Sequence, residues 1–178
     1  MDLTAYQKDL RASYIGGGIG AIVSGTVWAV AAIMEGQAGT APAFWTLFFG
    51  GMLIFPVSLL ICRAIFRRPN TAPGNPGGTL VIETLPGMFL GLFAAFLFIG
   101  SHPEWVFPIA AIAVGAHYFP FRTAYGDPLY WILGGLMMVV GAVGGFTNIT
   151  LPLGTAWLIA IVEVVFGVVL VVRNGKAE

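Results

Sequence analysis

A chain of 178 residues with 9% charged and 58% hydrophobic side chains cannot coat itself in water-facing charge; soluble domains carry about 25% charged and 45–50% apolar residues. Net charge is zero, so nothing in the balance draws nucleic acid or an acidic substrate. One cysteine, Cys62, excludes an internal disulfide and a cysteine-based zinc cluster, and the class that composition leaves is an integral membrane protein.

The chain opens on a polar dozen, "MDLTAYQKDLRA", followed by an apolar run over roughly 13–34. That run is longer than the ~7–15 residues of a signal h-region, and Pro42 makes cleavage in the following "AGTAPA" awkward, so it reads as a retained membrane helix. The turn "EGQAGTAP" leads to a second apolar run, roughly 43–66, and the loop "RRPNTAPGNPGG" to a third, roughly 79–100. A tight "SHPE" turn, with Pro103 suited to a first helical turn, precedes a fourth run over roughly 104–122. "TAYGDP" and "TNITLPLG" set off the last two, roughly 128–147 and 154–172. Each run is near the ~20 residues that cross a bilayer as a helix. The expected fold is all-α: one domain over 1–178, a bundle of six membrane helices with no room for a soluble domain.

Orientation follows from the cations. Lys8, Arg11, Arg63, Arg67, Arg68, Arg122, Arg173 and Lys176 all fall on one side of a six-span chain, the side of both termini. The positive-inside rule makes that side cytoplasmic. Tyr6, Tyr14, Trp45, Trp105, Tyr125, Tyr130, Trp131 and Trp157 lie near span ends, as an interfacial aromatic belt requires.

Small residues recur every four positions at Gly16, Gly20 and Ser24, at Gly87, Gly91 and Ala95, and at Gly141 and Gly145. Such faces let helix backbones approach, inside one chain or across a homo-oligomer seam through Gly16, Gly20, Gly87 and Gly91. "IGGGIG" lies inside a span, which removes the strand–turn–helix setting a dinucleotide loop needs.

Charges inside a bilayer cost at least ~2.5–3.5 kcal/mol and need a reason. Glu35 and Glu104 fall at the outer boundary; Asp2, Asp9 and Glu178 fall in the terminal segments. Glu83, His117, Arg122 and Glu163 remain. Glu83 lies about four residues inside the third span, roughly 6 Å deep. His117 lies near the cytoplasmic end of the fourth, with Arg122 just beyond. The short turn between those spans makes them antiparallel neighbours, so Glu83 is expected to face His117 or Arg122 in a shared pocket. Pro86 and Pro120 each follow an ionisable residue by three, breaking both helices at one level and freeing the carbonyls of Ile82 and Ala116. The two readings are a binding pocket at broken helices and a structural ion pair. Glu163, near mid-membrane, either relays protons or meets a hydroxyl or amide on another helix: Ser24, Thr26, Thr46 or Asn148.

His102 and His117 are about 22 Å apart along one helix, and His117 with Glu83 supplies two ligands where catalytic zinc needs three. No metal, no cofactor and no nucleophile–base pair is expected, which argues against an enzyme.

The run His117-Tyr118-x-Pro120-Phe121, with Tyr125-Gly126 and the upstream Glu83-x-x-Pro86, resembles an uncharacterised bacterial family of small multi-span membrane proteins, a domain of unknown function. The resemblance covers the third to fifth spans and implies a bacterial inner-membrane address, with no activity attached. The residues point to a cytoplasm-facing polar pocket in a small transporter or channel, proton-coupled, with Glu83, His117, Tyr118, Arg122 and Glu163 as ligand or proton sites. The alternative is a structural or regulatory membrane protein that meets a partner through its small-residue faces.

Overall fold

The structure, a computed structural model, describes residues 2–175; Lys176 and Glu178 lie outside the described residues. Among those described there is no strand. The polar opening is not a tail. It forms helix α1 (Leu3–Tyr14), whose N-terminus is capped by the Asp2 carboxylate accepting from the Ala5 N–H at 2.8 Å. α1 ends where Ile15, Gly16 and Gly17 take φ of 52°, 61° and 79°. Two glycines suit that left-handed kink; Ile15 is held there against its own preference. The chain then enters α2 (Gly18–Ala38), so the first span begins at this kink. Gly39, at φ 87°, turns it directly into α3 (Thr40–Leu60), which ends in a wide π turn over Ile61–Ile65.

The third expected span is two helices, α4 (Gly77–Ile82) and α5 (Leu85–Leu97), broken at Glu83–Thr84. The fourth is also broken: a 3-10 turn at Pro103–Trp105, α6 (Val106–Tyr118), a break at Phe119–Pro120, and the short α7 (Phe121–Tyr125). α8 (Leu129–Phe146) and α9 (Thr155–Asn174) follow. Five helical stretches, 3–38, 40–65, 77–97, 129–146 and 155–174, are long and apolar enough to cross a membrane. Together they mark the chain as a membrane protein. The exception is α6. Its 13 residues reach about 20 Å at 1.5 Å per residue, short of the ~30 Å hydrocarbon layer. It compensates by being enclosed, packing against α5, α8 and α9.

Close backbone approaches organise the core. α2 lies on α9, where a Cβ on Gly18 would sit 2.7 Å from the Gly167 carbonyl, and one on Gly25 2.9 Å from the Ala160 carbonyl. α6 lies on α8 in the same way, through Gly115 and Gly134. Of the glycines expected at a seam between copies, Gly16 meets Asn174 and Gly91 meets Ala113 inside the chain, whereas Gly20 and Gly87 face open space. The phase of the small-residue face on α2 is thus shifted by two residues from the expected Gly16–Gly20 pair.

The two ends of the bundle differ. Arg63 donates to the carbonyls of Ser13, Arg68 and Pro69, and Arg68 to those of Asn174 and Gly175. Arg11 donates to the Tyr125 carbonyl, and Arg173 pairs with Asp127 at 3.2 Å. These bonds gather the start of the first span, the 66–76 loop, α7 and the end of α9 into one basic end. At the opposite end Glu35, Glu104 and residues 147–151 line a cavity of about 420 Å3.

Candidate functional site

Glu163 is fully buried on α9. α9 and α6 present it to Tyr118, the last residue of α6, whose hydroxyl donates to Glu163 Oε1 at 2.8 Å. Helical side chains lean toward their own N-termini, so Tyr118 reaches back along α6 to the level of Glu163. The tight α2–α9 seam brings Ser24, also buried, against the same carboxyl and the same tyrosine. The second oxygen, Glu163 Oε2, has no well-formed hydrogen bond. A buried carboxyl oxygen without a donor carries a desolvation cost of about 1–3 kcal/mol or more. Of the four partners expected for Glu163, the structure brings Ser24. Thr26 and Thr46 instead bond carbonyls of their own helices, those of Ile22 and Pro42.

His117 is adjacent to Tyr118 but turns to α5. Its Nδ1 lies 2.5 Å from Thr84 Oγ1, and that hydroxyl donates to the Val81 carbonyl at 2.7 Å. With its single proton so placed, the Thr84 hydroxyl accepts from His117 Nδ1. The expected contact of Glu83 with His117 or Arg122 is not formed. Thr84, one residue on, takes the imidazole, and Glu83 is exposed in the α4–α5 break. Arg122 is exposed too, its guanidinium 4.9 Å from the centre of the Trp131 ring, an interfacial cation–π contact rather than an ion pair. Glu83 lines a groove of about 270 Å3 with Tyr6, Gln7, Leu80 and Thr123.

Both proline-linked breaks exist, at slightly different places from the expected ones. Pro86 sits in the first turn of α5, where its missing N–H costs nothing, and the break precedes it. Pro120 caps α7. The Ala116 carbonyl, expected to be left free, accepts from the Phe119 N–H at 3.3 Å. The breaks set four of the candidate groups in a row: Glu83 next to Thr84, Thr84 bonded to His117, His117 next to Tyr118, and Tyr118 bonded to Glu163.

Beside this row lies a buried aromatic stack. Tyr118 and Tyr130 rings stack at 6.1 Å, and Tyr130 and Tyr125 at 5.4 Å. The Tyr130 hydroxyl donates to the Gly16 carbonyl at 2.5 Å, in the kink before α2. Tyr125 and Tyr130, expected in an interfacial belt, are 8% and 1% exposed. Sequence reading also missed Asp127, which is buried, accepts from the Leu129 N–H and pairs with Arg173. An Asp before Pro at a helix start was the available signal. At the acidic end, the Glu104 carboxyl is held below the usual range by its own backbone N–H and by His102 at 3.1 Å. Among the described residues no three His, Cys, Asp or Glu side chains converge as a metal site would require.

The sequence pattern of one protein family matches residues 3–173. The chain belongs to DUF7010, a family of unknown function. In this DUF7010 chain the match runs from the first residue of α1 almost to the end of α9, so it takes in every group of the row described above. No curated protein and no solved structure matches the chain.

Proposed function

We propose that this protein is a six-span inner-membrane transporter of a small solute, coupled to protons, with Glu163 as the proton-binding group. The observation that carries the reading is the Glu163 carboxyl: fully buried, its Oε1 accepting from Tyr118 with Ser24 beside it, and its Oε2 without a well-formed hydrogen bond. Ionisable groups buried in membrane bundles mark proton and ion pathways by default, because their insertion cost must be offset by a use. In this reading the enclosed α6 counts as the sixth span, completed by its flanking turns, and the basic end, with α1 and the end of α9, faces the cytoplasm under the positive-inside rule. Two cavities, one lined by Glu35 and Glu104 and the other by Glu83, support access at opposite ends. In this reading a proton leaves Glu163 through the Tyr118 hydroxyl and reaches the groove at Glu83 through water, since no hydrogen bond joins Tyr118 to His117 or Thr84 to the Glu83 carboxylate. Tyr118 rotates its hydroxyl between Glu163 and Ser24 as the carboxyl gains or loses its proton. Arg122 anchors the mouth of the path at the lipid interface.

The test is proton movement into proteoliposomes holding a pH-sensitive dye, under an imposed membrane potential. Glu163→Gln, nearly isosteric, is expected to cut the flux at least about tenfold while the protein inserts and purifies as the wild type does. Wild-type flux in Glu163→Gln sinks the assignment. Sidedness is read from single cysteines placed at Ala72 and Ser101 in a Cys62→Ala background: a membrane-impermeant maleimide added outside cells is expected to label the second and not the first.

A second reading, assembly with another protein or another copy through small-residue faces, draws support from Gly20 and Gly87, which have open space in front of them. It predicts that Gly87→Leu disperses a cross-linkable complex and that Glu163→Gln leaves function intact.

A further inference from the structure

At the basic end almost every acidic side chain is already engaged. Asp2 caps α1. Asp9 accepts from the Ala72 N–H at 3.0 Å and from Asn75 Nδ2 at 2.6 Å. Asp127 accepts from the Leu129 N–H and pairs with Arg173. Glu83 differs: no hydrogen bond or ion pair ties its carboxylate to another described residue, and it lines the groove between α1, α4 and α7. The rest of the lining is apolar or neutral, with Leu3, Tyr6, Pro76 and Leu80 as walls. Gln7 is spent on the Thr123 carbonyl at 2.8 Å, and among the described residues no lysine or arginine lines the groove beside Glu83. A carboxylate on a half-apolar wall next to a tyrosine ring attracts one kind of ligand: a cation with a greasy body. The carboxylate supplies the counter-charge, the aromatic face supplies a cation–π contact, and the leucines cover the hydrocarbon part.

We infer that this groove binds a small organic ammonium ion, with Glu83 as its counter-ion and Leu3, Tyr6 and Leu80 against its apolar part. A volume of about 270 Å3 admits an amine with one ring or a short chain and excludes a peptide. That the ammonium ion is the transported solute rests on the proton-coupled reading above; that it binds does not. In that reading a cation held at Glu83 occupies the groove through which a proton released from Glu163 leaves. The ammonium group has two sources, a free amine or the headgroup of phosphatidylethanolamine.

The experiment uses the full chain in nanodiscs of phosphatidylglycerol alone, titrated calorimetrically with 2-phenylethylammonium and, separately, with the neutral 2-phenylethanol. Saturable binding of the amine and none of the alcohol is expected, with affinity falling at least about tenfold in Glu83→Gln. Leu80→Trp, which fills the groove without touching the charge, should abolish binding too. The transport of Glu163→Gln tests the proton reading separately. Nanodiscs with added phosphatidylethanolamine tell the sources apart, because a headgroup ligand competes with the amine and a free-amine site is unaffected. Equal affinity in wild type and Glu83→Gln, equal binding of the alcohol, or no saturable binding of the amine overturns the inference.

Discussion

Tyr118 and Glu163 form a buried pair on two different helices, and their coupling can be measured by a double-mutant cycle. Tyr118→Phe removes the hydroxyl that donates to Glu163 Oε1 at 2.8 Å. Since Oε2 already lacks a well-formed bond, the mutant leaves only Ser24 for the whole carboxyl. Hydrogen bonds between membrane helices average about 0.6 kcal/mol and reach about 1.7, while bonds to an ionisable acceptor lie at about 1.5–3 kcal/mol elsewhere. The expected cost of Tyr118→Phe is therefore about 1–2 kcal/mol. In a Glu163→Leu background the acceptor is gone, the hydroxyl is the orphan, and its removal should cost about nothing or stabilise. The two costs should differ by about 1–2 kcal/mol, beyond the ~0.3–0.5 kcal/mol scatter of independent sites. Reversible unfolding in mixed micelles of rising dodecyl sulfate fraction, followed by helical circular dichroism, gives all four corners. If Tyr118→Phe costs the same with and without Glu163, the pair is not energetically real and the proposed proton site loses its anchor.

Gly18→Ala should destabilise by about 1–3 kcal/mol, since its Cβ meets the Gly167 carbonyl and Val171 N–H at 2.7 and 2.8 Å, whereas Gly20→Ala should be neutral in the same unfolding assay. Gly17→Ala adds a φ of 79° that alanine resists to a Cβ that meets the Tyr130 hydroxyl; it should cost about 1–3 kcal/mol and reduce the near-ultraviolet tyrosine signal. His102→Ala should let the Glu104 carboxyl titrate at higher pH, read by carbon NMR of labelled glutamate. Because Glu104 is lowered in the folded protein, the contact favours folding above the ordinary carboxylate range and loses that contribution as pH falls; both groups are exposed, so the melting temperature should stay the same.

The apolar runs made the helices legible, because 20 apolar residues in a row admit few other structures. The breaks were legible in part: Pro86 and Pro120 announced them, while the kink at Ile15–Gly17 lay hidden in a run of glycines read as packing. α1 was missed because its composition is polar and its stabilisation comes from the Asp2 cap and from long-range bonds such as Arg11 to Tyr125, which leave no periodic signal. Glu83, His117, Tyr118 and Glu163 stood out as polar groups in greasy surroundings. Which touched which did not, because one residue of helical phase decided that Thr84 rather than Glu83 meets His117. Tyr125 and Tyr130 read as belt residues because proximity to a span end does not reveal that a short helix folds back over the bundle and buries them.

The brevity of α6 has a consequence for how the chain is made. A segment of 13 helical residues is a weak stop for the insertion machinery, which reads about 20 apolar residues as a span. If α6 is the proposed sixth span, its membrane residence depends on the helices it packs against: α5, which precedes it across a tight turn, and α8, which follows it. During synthesis α5 and α6 should therefore enter the bilayer as a hairpin that becomes secure only when α8 has emerged, and chains cut after Tyr118 should accumulate with their last helix on the wrong side.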